Sequence, residues 1–429
     1  MSTTRRRFLS QSIAATSAVA LTGAIAGKSV SPSEKINVAC MGVRGRGDSV
    51  MRTFAAQPDV NITHICDVDR NVLQSRAARM GKVKTTVDFR EVIDDPNVDV
   101  LVVTTPDHWH AIPTIAACVA GKDVYVEKPD GHNILEGKTM LDAARQHGRM
   151  VQMGTQARSA PYLHDAVEYV KRGSIGKVLF GKAWETARQG TIPRVPDTDP
   201  PKHVDYDRWL GPAPKRQFNR YRFHGNWRWF FDYGCGDLGN DGVHRLDYCR
   251  MVMGINEYPK KIACMGGKLF FDDAQEWPDT MMATYEFGDE ATKTKKIMTY
   301  EMRLWSRPRK LGITEGASVH GDNGWVVITN KGWKAYDANN KTVKEGGDNE
   351  AQSRHVRNFL DAVKSRDRNS LNQEIESGHM SSVLCHAGNI AWRVGKTIAF
   401  DPKSHRFDDT DANKYLTRDY RKGYELPRL

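Results

Sequence analysis

Paired cysteines are missing from this chain. Its seven, Cys40, Cys66, Cys118, Cys235, Cys249, Cys264 and Cys385, are scattered, odd in number and set mostly in apolar runs, and no C-x-x-C pair occurs. That pattern excludes a zinc or redox motif, so no metal is expected, and the residues read as small buried hydrophobes. Internal repeats and long low-complexity segments are also absent. The apolar stretch near the N-terminus, Ile13 to Ala26, falls short of the ~20 residues a membrane-spanning helix needs. Beyond the first residues no Lys/Arg block interleaves with aromatics, so the net charge of +11 reads as a solvated surface and no nucleic-acid partner is expected.

What is present is a soluble globular balance, with 39% hydrophobic and 27% charged residues, and 429 residues suffice for two domains. The run Thr4-Arg5-Arg6-Arg7-Phe8-Leu9 precedes the mild apolar stretch, and Ala24-Ile25-Ala26 follows as an A-x-A cleavage site. This resembles a twin-arginine export signal, and it lacks a Cys that could take a lipid. Removing the three arginines takes the charge from +11 to +8. The expectation is a periplasmic or otherwise exported protein that exports already folded, which agrees with the absence of disulfides. Residues 1–34 are then signal and linker.

Ile36 to Met41 is an apolar run of strand length that ends at Gly42-Val43-Arg44-Gly45-Arg46-Gly47, and Val50, Phe54 and Ala55 follow at helical spacing. Glycines between a strand and a helix let the backbone approach a pyrophosphate. The spacing is G-x-x-G-x-G, with Arg44 in place of the usual second Gly, so alone it is weak. A second strand, Val60 to Cys66, ends at Asp67, where an acidic side chain takes the ribose hydroxyls of NAD. A carboxylate there repels a 2′-phosphate, so NAD is favoured, with NADP left open by Arg70. Asp99 to Pro106 is a strand of the kind a parallel sheet buries on both faces, followed by Asp107-His108-Trp109-His110. A helix from Ala111 to Ala120 leads to the strand Asp123 to Val126 and then Glu127-Lys128-Pro129. This alternation predicts a doubly wound parallel sheet over residues 35–155, with the motifs at the carboxyl ends where ligands bind.

Thr104-Thr105-Pro106-Asp107-His108-Trp109-His110, Glu127-Lys128-Pro129 and Gly239-Asn240-Asp241-Gly242-Val243-His244-Arg245-Leu246-Asp247 together resemble the glucose–fructose oxidoreductase/inositol dehydrogenase (Gfo/Idh/MocA) family. The likeness covers nearly the whole mature chain, including His355 to Leu360 and the helix around Gly378 to Trp392. It implies a Rossmann domain, then an α+β domain (156–429) on a large, mostly antiparallel open sheet. It implies bound NAD(P), a sugar or polyol substrate, and a cis Lys128–Pro129 peptide.

The predicted cofactor contacts are Gly42, Arg44, Gly45, Arg46, Gly47, Asp67, Thr105, Pro106, His108, His110, Glu127, Lys128 and Gln156. Oxidising a secondary alcohol sends a hydride to the nicotinamide while a side chain takes the hydroxyl proton. Lys128 is the expected acid/base, with His244, which titrates near neutrality, as its partner. In the inositol dehydrogenase branch an Asp stands four residues before this His. Here Asn240 stands there, with Asp241 next to it, and Asn cannot exchange a proton. Helical spacing places Asn240, His244 and Asp247 on one face, where Asp247 would orient the ring. The basic, aromatic stretch Phe218 to Phe231 supplies flat surfaces and donors for a sugar, and Arg158, Trp229, Asn240, Asp241 and His244 are the expected substrate contacts. An open sheet commonly becomes an interface, so a homo-oligomer, dimer or tetramer, is expected. Three functions stay open: a sugar or polyol dehydrogenase or reductase, a redox-neutral glycosidase or lyase that retains its NAD, and a non-catalytic sugar binder.

Overall fold

The computed structural model describes residues 35–186, 188–306, 313–348 and 350–429. The twin-arginine segment expected at 1–34 lies outside the described residues.

Six strands form the first sheet: β1 (Ile36–Met41), β2 (Val60–Cys66), β3 (Lys84–Thr86), β4 (Val100–Val103), β5 (Asp123–Val126) and β6 (Val151–Met153). They lie in the order β3-β2-β1-β4-β5-β6 and every pair is parallel. All four residues of β4 are buried, because helices cover both faces of the sheet. The helix α1 (Arg46–Ala55) buries Val50, Met51 and Phe54 on one side, and α2 (Ala111–Val119) and α3 (Ile134–Gln146) cover the other. Asn133 caps α3, its side chain accepting from the Glu136 N–H.

Ten strands form the second sheet, β7 (Val178–Glu185), β8 (Lys261–Gly267), β9 (Thr280–Phe287), β10 (Lys296–Arg303), β11 (Glu315–Gly321), β12 (Gly324–Thr329), β13 (Gly332–Asp337), β14 (Thr342–Gly346), β15 (Ile398–Asp401) and β16 (Arg406–Phe407). The order is β14-β13-β12-β11-β7-β10-β9-β8-β15-β16. Only β7 and β10 pair in parallel; the other pairings are antiparallel. β9 shows why one face is dry: Met281, Ala283, Tyr285 and Phe287 point inward and are buried, while Met282 is exposed. The helices α4 (Val243–Val252) and α5 (Ile375–Val394) pack across the inner face. All seven cysteines are buried and unpaired, and burial pushes the Cys40 thiol up to about 12.

One helix does not follow the linear division at residue 156. The helix α6 (Ala351–Ser365) turns back to the first sheet, where Val356, Phe359 and Leu360 join the core of Val38, Phe54 and Val100. Arg357 and Lys364 on its outer side hold Asp59 at the start of β2. Tyr424 and Leu426 of the C-terminal tail pack on the other face. The chain therefore crosses between the sheets more than once.

Candidate active site

A cavity of about 470 Å³ opens at the carboxyl ends of the parallel strands. Gly42 and Gly45 follow β1, Asp67 follows β2, Thr105 and Pro106 follow β4, and Glu127 and Lys128 follow β5, and all of them line it. Every strand of a parallel sheet points its carboxyl end the same way, so residues distant in sequence converge there.

The glycine turn divides its work. Gly42 has φ +80°, and a Cβ on it would lie 2.8 Å from the Thr105 nitrogen. Gly45, φ +54°, precedes α1 with no side-chain cap and open space at its Cβ position. In the first turn of α1 the Gly47 N–H donates to the Arg44 carbonyl at 3.0 Å, and the Arg46 and Asp48 N–H groups are left for an anion. Gly47 does not line the cavity. A Cβ there would lie 1.8 Å from the Gly42 carbonyl oxygen, so this glycine serves the close packing of helix on strand.

Asp67 accepts backbone N–H bonds from Val43 (2.9 Å) and Asp69 (3.0 Å). Burial pushes its carboxyl up to about 6. A carboxylate offers about four acceptor positions, so capacity remains for two ribose hydroxyls. Arg44 and Arg46 line the same space. Arg46 donates to Glu127 at 2.9 Å and to Gln352. These residues fit a dinucleotide: a bare helix terminus for the pyrophosphate and a carboxylate after the next strand for the ribose.

Deeper in the cavity, Lys128 Nζ donates to the Asn240 carbonyl oxygen (2.7 Å) and to its Oδ1 (3.0 Å). Asn240 Nδ2 in turn donates to Asp241 Oδ2 at 2.8 Å, which fixes which way the amide points. Both residues belong to a π-helical turn, Leu238–Gly242, that runs into α4, a feature frequent at functional sites. The Lys128–Pro129 peptide is cis. His244 begins α4 and faces the same cavity. Burial, then the charge of Lys128, pulls its imidazole well below the usual histidine range, so the ring is neutral at pH 7 rather than titrating there. No hydrogen-bond partner engages it among the described residues. Gln156 and Asp241 also line the cavity.

Six expected contacts lie elsewhere. Besides Gly47, His108 is buried between the Trp209 and Tyr233 carbonyls (2.9 and 3.3 Å), and burial pulls it down to about 3. His110 bridges the Pro129 and Thr105 carbonyls (2.6 and 2.9 Å). It therefore ties the ends of β4 and β5 together from behind. Trp229 is buried in the core of the second domain. Arg158 and Asp247 do not line the cavity; they pair with each other. Asp247 accepts from Arg158 (2.9 to 3.2 Å), Ser381 (2.6 Å) and Gln373 (2.9 Å). Burial alone would raise its carboxyl, but the Arg158 charge and hydrogen bonds hold it below the usual range. No bond joins Asp247 to His244.

The structure adds residues the motifs did not single out. Asp107 is buried, lines the cavity, and accepts the Cys235 N–H at 3.2 Å; burial raises its carboxyl. Trp227 and Arg228 line the cavity in place of Trp229. His224 sits at its edge with φ +52°, an uncommon conformation for a residue with a side chain.

Two outcomes follow. Asp247→Ala strands Arg158 in the interior and is expected to cost about 3–5 kcal/mol, read as a melting temperature lower by about 5 °C or more. Were Asp247 an orienting partner of His244, activity would fall while the melting temperature held. NADH affinity, followed by fluorescence titration, is expected to weaken several-fold as pH drops from 7 to 5. Asp67 is ionised above about 6 and neutral below it, and the ionised form is the better acceptor for ribose hydroxyls. Asp67→Asn should flatten that dependence; a wild-type affinity indifferent to pH would remove Asp67 from the ribose site.

The sequence profile described as the oxidoreductase family's NAD-binding Rossmann fold matches residues 36–155, and that of its C-terminal alpha/beta domain matches residues 174–426. Levoglucosan dehydrogenase from Pseudarthrobacter phenanthrenivorans is 34% identical over 115 residues, 27% of this chain and 30% of that protein. The scyllo-inositol 2-dehydrogenase (NAD(+)) of Bacillus subtilis is 29% identical over 136 residues, 32% of this chain and 40% of that one. A glycosyl hydrolase family 109 protein of Saccharopolyspora erythraea is 31% identical over 159 residues, 34% of each chain. The matched stretches thus span well under two thirds of these relatives. Among solved structures, levoglucosan dehydrogenase in complex with NADH and levoglucosan superposes with a TM-score of 0.67 at 18% identity, covering 85% of this chain and 99% of that one. With both of its halves matched, the chain belongs to the Gfo/Idh/MocA oxidoreductase family and carries that family's NAD-binding Rossmann fold.

Proposed function

We infer that this protein is an NAD-dependent dehydrogenase or reductase acting on a secondary hydroxyl of a sugar or polyol. One observation carries the reading: Lys128 and His244, from different halves of the chain, face one cavity beside the glycine turn and Asp67. A bound nicotinamide supplies the two-electron acceptor. The protein supplies the proton's destination. Two N–H groups of Lys128 are committed to the two oxygens of Asn240. The remaining position on Nζ is a lone pair in the amine and an N–H in the ammonium. The amine takes the hydroxyl proton as the C–H bond breaks and the carbonyl forms; in reduction the ammonium returns it. His244, neutral and unengaged, accepts a hydrogen bond from the same hydroxyl or its neighbour and aligns it. Asn240 holds Lys128 in place and exchanges no proton. Trp227 and Arg228 offer a flat surface and donors to the sugar ring.

The relatives named levoglucosan dehydrogenase and scyllo-inositol 2-dehydrogenase support this substrate class. The family 109 relative favours a second reading, a redox-neutral glycosidase that passes through a keto-sugar. The same lysine and histidine would serve it. Incubation with a panel of monosaccharides and glycosides separates the readings. Net change in reduced nicotinamide is expected; glycoside cleavage without net change would favour the second reading, and binding without turnover a silent sugar binder. Lys128→Ala is expected to lower kcat/KM by ~10²- to 10⁴-fold with NADH affinity nearly unchanged; full activity in that variant would end the assignment.

The exposed face of the second sheet carries Met265, Met282 and Ile297, with Phe180 half-buried beside Ile297. This apolar patch favours a dimer or tetramer built on that face. The twin-arginine segment favours export with cleavage after Ala26. Native mass spectrometry of protein recovered from the periplasm should show both: an oligomer, and a chain beginning at Gly27. A monomer would sink the first, an intact N-terminus the second.

A further inference from the structure

A second cavity, about 280 Å³, lies behind the wall of the first. The two share the segment around Cys235. The Cys235 N–H reaches Asp107 in the cleft, while its carbonyl accepts from Asn389 at 2.8 Å on the far side. His132, Asn133, His386, Asn389, Trp277 and Arg393 are among the residues that line this second space.

Three of these side chains are more than nine-tenths buried and carry an atom with no hydrogen-bond partner: Asn133 Nδ2, His386 Nε2 and Asn389 Oδ1. Buried polar atoms are rarely left so, because each forfeits the hydrogen bonds it made in water. A fourth group is a cation without an anion. The Arg393 guanidinium lies 4.0 Å from the Phe231 ring, 4.8 Å from Trp277 and 5.0 Å from Tyr415. No carboxylate lies within salt-bridge distance of it among the described residues. The nearby acids are used or remote: Asp232 and Glu276 pair with Arg216 at 3.0 and 3.1 Å, Glu276 acting on Arg393 only at longer range, Glu136 sits beside Arg418, and Asp419 is exposed at the rim. Three aromatic rings flank the guanidinium and the Tyr415 hydroxyl engages one side of it, while the rest of its donor fork has no carboxylate, which that fork matches.

The chemistry of the orphaned atoms narrows the occupant. Asn389 Oδ1 needs a donor, which a halide or a fully ionised phosphate ester lacks and a hydroxyl supplies. Burial pulls His386 down to about 4, so its imidazole is neutral and exchanges hydrogen bonds with hydroxyls. The volume is at the small end of ligand sites, enough for one small molecule and not for an oligosaccharide. We propose that this cavity is a second binding site, separate from the dinucleotide cleft, for a small polyhydroxylated carboxylate such as a sugar acid. Its carboxylate rests on Arg393 and its hydroxyls meet His386, Asn389 and Asn133. The site does not depend on the reaction assigned to the cleft.

Calorimetric titration of the NADH-saturated full chain tests this, with D-gluconate as probe and the neutral polyol D-glucitol as comparator. A Lys128→Ala host separates the second cavity from the cleft. Gluconate is expected to bind Lys128→Ala with a stoichiometry of one per chain, at least tenfold tighter than glucitol. Arg393→Gln removes the cation. Asn133→Asp keeps an oxygen to cap α3 but replaces the free donor with a negative charge, so it also serves if the Arg393 variant does not fold. Each is expected to weaken gluconate at least tenfold with NADH affinity unchanged. No binding of gluconate, equal binding of glucitol, loss of binding in Lys128→Ala, or binding that survives both cavity variants would overturn the proposal.

Discussion

Lys128 and Asn240 stand 112 residues apart, yet the amine of one reaches both oxygens of the other. The site depends on this contact. Lys128 arrives at the end of a parallel strand of the first sheet. Asn240 arrives on a π-helical turn that leads into a helix packed across the second sheet. Neither sheet alone brings the lysine and the two oxygens that hold it to the cavity. The extra residue of the π-turn carries the Asn240 carbonyl and amide oxygens to the same amine, and Asp241 holds the amide so that its oxygen faces the lysine.

Behind the reactive groups lies a dry network that keeps them in place. Asp247 gathers Arg158, Gln373 and Ser381 around one buried carboxylate. His355, also buried, bonds Ser159 and the Met153 carbonyl, and Gln152 donates to the His355 carbonyl. These bonds join β6, the turn that holds Arg158 and Ser159, α4, α5 and α6 to one another. In a low-dielectric interior such charge-assisted bonds hold the network rigid, although Gln152 Oε1 and Gln373 Oε1 are left without a partner.

Much of the cleft could be read along the chain. Strand ends in an alternating β/α pattern fall at one edge of a parallel sheet, so the positions of Gly42, Asp67, Thr105 and Glu127 followed from strand placement alone. The errors have a common cause. Trp227 and Trp229 are equally aromatic and two residues apart, and a short helical turn, His224–Trp229, decides which one faces the cavity. Asp247 lies at helical spacing from His244, but spacing does not reveal Arg158 waiting in the interior. His108 and His110 lie beside the right strand end, yet their rings point into backbone carbonyls behind it. Asp107, just before them, and Trp109, between them, line the cleft instead.

What the sequence by itself determined is periodic and local: the apolar strands, the glycines between strand and helix, the parallel order of the first sheet, and the residue types at the strand ends. These follow from side-chain alternation and backbone sterics, which act between neighbours. Tertiary structure alone decided which polar groups pair in the interior and which stay free. It set Asp247 on Arg158, left Arg393 among three rings, brought α6 back to the first sheet and carried Tyr424 to the cleft. Pairing of buried charges depends on distances between segments far apart in the chain, 89 residues for Arg158 and Asp247, and no local pattern encodes those distances.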